Sequence, residues 1–184
     1  MSMNMVDTDK RYCVIDTERI KGNQIYLLAY QLYDAAFELL ESKTFQDVSI
    51  DLSNRHAPKS KAKELNMKSI KVHSFAELYE NIAGSMNEIE VIVFSCTDLK
   101  TIRRNCKENG IEYRKIVAVD LQKALYDLAT DDKKKSNLKG YCRANGIKYD
   151  PHIPESDCYA TFILYQNLLS MYGESFIEKY KVVI

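Results

Sequence analysis

Residues Glu90 to Ser95, EVIVFS, form a short, unbroken apolar run. A strand with no polar side needs cover on both faces, so this segment calls for a sheet flanked by helices. The chain then supplies a helix. TDLKTIRRNCKENG has Thr97 or Asp98 to open it and Gly110 to close it. The alternation repeats: KIVAVD reads as a second buried strand and LQKALYDLAT as its helix. Beyond a charged loop at Asp131–Ser136, NLKGYCRANGI reads as a short helix ended by Gly146. The loop KYDPHIPES then leads into DCYATFILYQNLLSMYG, a long and strongly apolar helix.

The opening third has a different rhythm. RYCVID begins a strand, Gly22-Asn23 reads as a turn, and QIYLLAYQLYD, rich in aromatic and branched residues, as a longer second strand. TFQDVSIDL predicts a third, completing an antiparallel meander. The polar stretch from Ser53 reads as a surface loop with one short helix, with Lys59, Lys61 and Lys63 as a solvated face. In SFAELYENIAGSM, Ser74 is the N-cap and Glu77 its capping-box partner, with Phe75, Leu78, Tyr79 and Ile82 on one face. The expected class is α/β, with a mixed sheet of roughly five strands flanked by helices. With 184 residues and no repeat or linker, one domain is expected, and KYKVVI reads as an edge strand or a tail.

The formal net charge is zero, which argues against a sequence-indifferent nucleic-acid coat and allows an enzyme gripping a few nucleotides. Cys13, Cys96, Cys106, Cys142 and Cys158 contain no Cys-x-x-Cys pair, so a disulfide framework or zinc knuckle is not expected. A reducing cytoplasm fits that usage. The N-terminal MSMNMVDTDKR lacks the apolar core of a secretory signal, and no apolar run is long enough to span a bilayer.

Two acids, Asp16 and Glu18, follow the apolar Val14-Ile15 one residue apart, on the same face of a strand. Their mutual repulsion and desolvation demand a cation or water. Asp98 stands just after the EVIVFS strand and Asp157 in the first turn of the long helix, places where open α/β sheets bind ligands. Capping and helix-dipole roles are the ordinary use of an Asp at either position. His152, in PHIPESD, precedes Asp157 by five residues between two prolines, while His56 and His73 read as surface residues. The order of the set, more than any member, carries information.

In that order the sequence resembles the DEDDh branch of the DnaQ-like 3′–5′ exonucleases, of the ribonuclease H-like superfamily. Asp16-Thr17-Glu18 resembles the first motif, Asp98 in FSCTDLKTI the second, and HIPESDCYATFIL the third, His-x-x-x-x-Asp running into a long helix. The likeness runs from Tyr12 to Leu169, within an exonuclease-like core at about 11–172 of a single domain spanning 1–184. It departs after Glu18, where ERIKGNQ replaces the family's Thr-Gly continuation, and before Asp98, where His-Asn and Phe are missing.

The resemblance implies a ribonuclease H-like fold and a metal-dependent 3′–5′ exonuclease that frees nucleoside 5′-monophosphates from a single-stranded DNA or RNA 3′ end. It implies two divalent cations, Mg²⁺ or Mn²⁺, about 3.5–4 Å apart. Asp16 would bridge them, Glu18 and Asp157 would sit beside the water-activating ion, and Asp98 would act on the second through water. His152 would be the general base, a task suited to imidazole. Lys100, Arg103 and Arg104 read equally as phosphate contacts or a solvated helix face. Other readings stay open: an inactive relative that binds nucleic acid or a protein partner, a metal-dependent phosphohydrolase of another class, which would need a phosphate cradle and finds no Gly-rich loop here, or an adaptor with capping acids.

Overall fold

The computed structural model describes residues 10–20, 23–50, 68–86, 89–129 and 137–184. Most of the loop from Ser53, with His56, Lys59, Lys61 and Lys63, lies outside the described residues, as does Asp131–Ser136. Strands β1 (Tyr12–Arg19), β2 (Ile25–Tyr33) and β3 (Leu39–Asp47) form the antiparallel meander. Strand β4 (Ile70–Val72) lies parallel to β3 on the outside. On the other side, β5 (Glu90–Val93) runs parallel to β1 and β6 (Val117–Asp120) parallel to β5. Strand β7 (Lys181–Val183) closes that edge antiparallel to β6, giving the order β4-β3-β2-β1-β5-β6-β7. The result is an α/β fold with a mixed seven-stranded sheet flanked by helices.

The two strands beyond the expected five are β4 and β7, each three residues long and so too short to show alternation. KYKVVI thus resolves as an edge strand, with Val183 opposite Val117. The third strand begins earlier than its sequence suggests, at Leu39, and stops at Asp47. Turn chemistry explains both ends. Asp34 Oδ1 accepts from the backbone of Ala36 and Glu38, setting Leu39 opposite Tyr33, while Asp47 Oδ1 accepts from Ser49 N and ends the strand in a turn.

Helices cover both faces. Cys13, Ile15, Leu28, Tyr30 and Phe45 face α1 (Phe75–Ala83) and α2 (Thr97–Glu108). Tyr12, Val14, Ala29 and Tyr33 face α3 (Leu121–Leu128), α4 (Leu138–Ala144) and the long α5 (Pro154–Tyr172). A short α6 (Glu174–Ile177) follows, so α5 is not the final helix. Helix α1 has the expected cap: Ser74 Oγ accepts from Glu77 N at 3.2 Å, and Phe75, Leu78, Tyr79 and Ile82 are buried. Glu77 reaches one residue further back than a simple capping box, accepting from His73 N at 2.8 Å. All five cysteines are free and buried, and no described helix is long and apolar enough to cross a membrane.

The feature that makes a site is a mismatch in strand length. Pairing of β5 with β1 ends at Ile15↔Val93, but β1 continues through Asp16, Thr17, Glu18 and Arg19, paired only with β2. The acids therefore stand just past the carboxyl end of β5, where a parallel sheet opens a crevice.

Candidate active site

Strand alternation sorts the residues of this overhang. Asp16 and Glu18 continue the face of Val14, towards α5, and Thr17 and Arg19 point to α2. Helix α5 is seated over the acids by four hydrogen bonds. Cys158 Sγ donates to Val14 O and Ala29 O, each at 3.7 Å. Glu155 accepts at its carboxylate from Thr44 Oγ1 at 2.7 Å, and at its backbone oxygen from Gln31 Nε2 at 3.1 Å. With Pro154 favouring the helix start, the first turn delivers Asp157 to the overhang. One carboxylate oxygen from each of Asp16, Glu18 and Asp157 lies within 4.8 Å of the others.

Asp98 approaches from the opposite side. It is buried, and its Oδ1 accepts from Thr17 Oγ1 at 2.6 Å. Neither Asp98 nor Asp157 has the capping role that is their ordinary use. Position N-cap is Cys96 in α2 and Ile153 in α5, and neither helix has a side-chain cap bond. His152 stands at the rim. Its Nδ1 is 3.8 Å from Glu18 Oε1, beyond hydrogen-bond reach, and its side chain is 63% exposed. It has a φ of 65° and follows Pro151 in a turn closed by Ile153 N donating to Asp150 O at 3.4 Å.

The structure thus brings together Asp16, Glu18 and Asp157, ties Asp98 to the residue between the first two, and leaves His152 alongside. Thr17, Glu155, Thr44 and Asn105 were not singled out in the sequence. Thr17 was legible in principle, since alternation turns it away from its acidic neighbours towards the helix behind. Lys100, Arg103 and Arg104 lie exposed on α2, Arg104 being 3.9 Å from Glu108, and His73 is also exposed.

The electrostatics are those of a site short of positive charge. Burial, then the charges of Asp98, Asp157 and Glu18, push the Asp16 carboxyl well above its ordinary range, with Arg19 opposing. Burial raises Asp98 to about 6, against the Thr17 hydrogen bond and Arg19. An all-oxygen donor set with unrelieved negative charge fits a hard divalent cation.

The pH dependence follows. Below about pH 4, near the ordinary carboxyl value, these groups are protonated in folded and unfolded chain alike, and the stability linked to their retained protons is fully present. It is lost as pH rises through about 6 for Asp98, and with the elevated Asp16. A divalent cation held by these carboxylates would replace those protons. The stabilisation conferred by Mg²⁺ over EDTA is therefore expected to grow from near zero at pH 4.5 to about 5–10 °C at pH 7.5 and a hundredfold excess over Kd. Paired melting curves check this; a shift that does not vary with pH would remove the carboxylates as the cause.

No family model and no curated protein matches the chain by sequence. Solved structures do match. The nuclease domain of 3′hExo, a DEDDh family member, bound to rAMP superposes with a TM-score of 0.68 at 13% identity, over 91% of this chain and 96% of that one. The 3′-exonuclease in a structure of 3′-end-specific recognition of a histone mRNA stem-loop gives 0.70 at 13% identity, over 91% and 85%. What the chain shares with these nuclease domains is the fold, the ribonuclease H-like arrangement of a mixed sheet between helices.

Proposed function

We propose that this chain is a DEDDh-type 3′–5′ exonuclease that hydrolyses the terminal phosphodiester of single-stranded RNA or DNA with two divalent cations, Mg²⁺ or Mn²⁺. The convergence of Asp16, Glu18 and Asp157 at the open end of β1 carries the proposal. Support comes from the fold neighbours, one bound to rAMP and the other recognising an RNA 3′ end. Asp16, Glu18 and Asp157 hold the cations, and Asp98 completes the set from α2. Once bound, the cations supply positive charge against the phosphate and acidify a water molecule.

The remaining chemistry belongs to the chain's own groups. His152 takes the proton from the attacking water, whose oxygen bonds to phosphorus while the bond to the 3′-oxygen breaks; the departing oxygen takes a proton from solvent, and His152 later returns its own there. The products are a nucleoside 5′-monophosphate and a strand one residue shorter with a free 3′-hydroxyl. The 3.8 Å separation of His152 from Glu18 suits a base that closes when substrate arrives, since such contacts tighten in the bound complex. The ties of Glu155 to Thr44 and Gln31 keep Asp157 in place throughout.

The test uses 5′-labelled RNA and DNA strands of one sequence, incubated with Mg²⁺, Mn²⁺ or EDTA beside Asp157→Asn. A metal-dependent ladder that shortens from the 3′ end, absent in the variant, is expected. Folded protein that cuts neither strand in any metal would overturn the proposal and leave an exonuclease-fold binding protein.

A further inference from the structure

Helix α2 meets the β1–β2 hairpin through a stripe that is polar where helix–sheet contacts are ordinarily apolar. Asp98, Thr101 and Asn105 share one helix face and are buried, at 9%, 6% and 3% exposure. Each engages the hairpin. Thr17 Oγ1 donates to Asp98 Oδ1 at 2.6 Å, and Arg19 Nη1 to Thr101 Oγ1 at 3.1 Å. Asn105 Nδ2 donates to Asn23 O and to Thr101 O, both at 2.9 Å, and its Oδ1 accepts from Ile25 N at 3.3 Å. Asn105 thereby holds the β2 side of the connection, where Asn23 has a φ of 66°, while Thr101 holds Arg19 at the end of β1.

The location gives the stripe its meaning. This is the stretch of β1 that has outrun β5, so among the described residues no strand supports it on that side. An aliphatic residue at 105 would avoid the cost of burying an amide but would leave the hairpin free to slide along the helix. The directional bonds of an amide set one register.

We infer that Asn105, with Thr101, is a positioning residue. It locks the hairpin bearing Asp16 and Glu18 onto the helix bearing Asp98, and so fixes Asp98 relative to the acid cluster. The inference rests on the nuclease reading above. It also gives the departure after Glu18 a role: Arg19, Asn23 and Ile25 are bound to α2.

The test is calorimetric titration with Mn²⁺, without nucleic acid, of the wild type, Asp98→Asn, Asn105→Ala and Thr101→Val. The binding event weakened by Asp98→Asn is expected to weaken about tenfold in Asn105→Ala, while the event carried by Asp16, Glu18 and Asp157 stays within about twofold. Titration as wild type, or equal weakening of all binding, would overturn the inference, as would an Asp98→Asn that titrates as wild type. Should Asn105→Ala fail to fold, Thr101→Val, which deletes one hydroxyl contact, decides on the same readout. A wild type that takes up no Mn²⁺ removes the nuclease reading and this inference with it; wild-type uptake with unaltered variants removes the inference alone.

Discussion

Asp16→Asn is expected to melt higher than the wild type in EDTA at pH 8, yet to lose about 10³-fold or more of the proposed nuclease activity. The two effects have one cause. In the metal-free protein Asp16 is half-buried among Asp98, Asp157 and Glu18, and ionising it adds charge that Arg19 alone opposes. An amide of the same shape removes that repulsion, and each kcal/mol relieved raises Tm by about 2–4 °C in a chain of this size. The sign depends on pH. At acid pH the wild-type carboxyl is already neutral and the two proteins melt together; the gap opens as pH rises through the elevated Asp16 value. Adding Mg²⁺ is expected to reverse the order, because the wild type gains the larger stabilisation from the cation. Paired melting curves across pH, with and without Mg²⁺, check each arm. A variant less stable than wild type under all conditions would mean that Asp16 is a structural residue.

His152→Asn is expected to lower kcat about 10²–10⁴-fold, the range for loss of a general base. Asn is chosen over Ala because it tolerates the positive φ at this position, so the loss reports on the imidazole and not on the backbone. The side chain is 63% exposed, and the exchange should destabilise the fold by no more than about 0.5 kcal/mol. Mn²⁺ affinity should be unchanged, since His152 stands outside the carboxylate cluster. Imidazole added to the assay should restore part of the rate. Wild-type kcat in this variant would exclude His152 from proton transfer.

The legible and illegible parts of this molecule differ in physical kind. Asp16 and Glu18 could be read because the two-residue period of a strand is local and fixes which side chains share a face. Asp98 could be placed because it follows an apolar strand at the start of a helix, and Asp157 because it begins a long apolar helical run. The α1 cap was equally local. The Asp98–Thr17 bond was hidden because its partners are 81 positions apart and lie on different elements. The start of β3 was hidden because it depends on turn bonds from Asp34. Strands β4 and β7 acquire strand character only from the neighbours they pair with. The start of α5 at Pro154 was obscured because PES reads as loop until the ties of Glu155 to Thr44 and Gln31 are seen.

The turn that carries His152 has a kinetic consequence. Pro151 at its second position and a positive φ at His152 give it the form of a type II turn. Proline serves type I equally well at that position, and the two forms differ by a flip of the single peptide unit joining Pro151 to His152. Such a flip leaves the ends of the turn where they are, and the Asp150 N–H stays bound to Ser156 Oγ at 2.8 Å. The second turn form would give the imidazole a second discrete seat, one crankshaft rotation away from the seat it occupies here. The seat occupied here is the one a non-glycine residue intrinsically disfavours, by about 1–2 kcal/mol. Exchange between seats, local and free of long-range rearrangement, would outpace any step that required α5 to move.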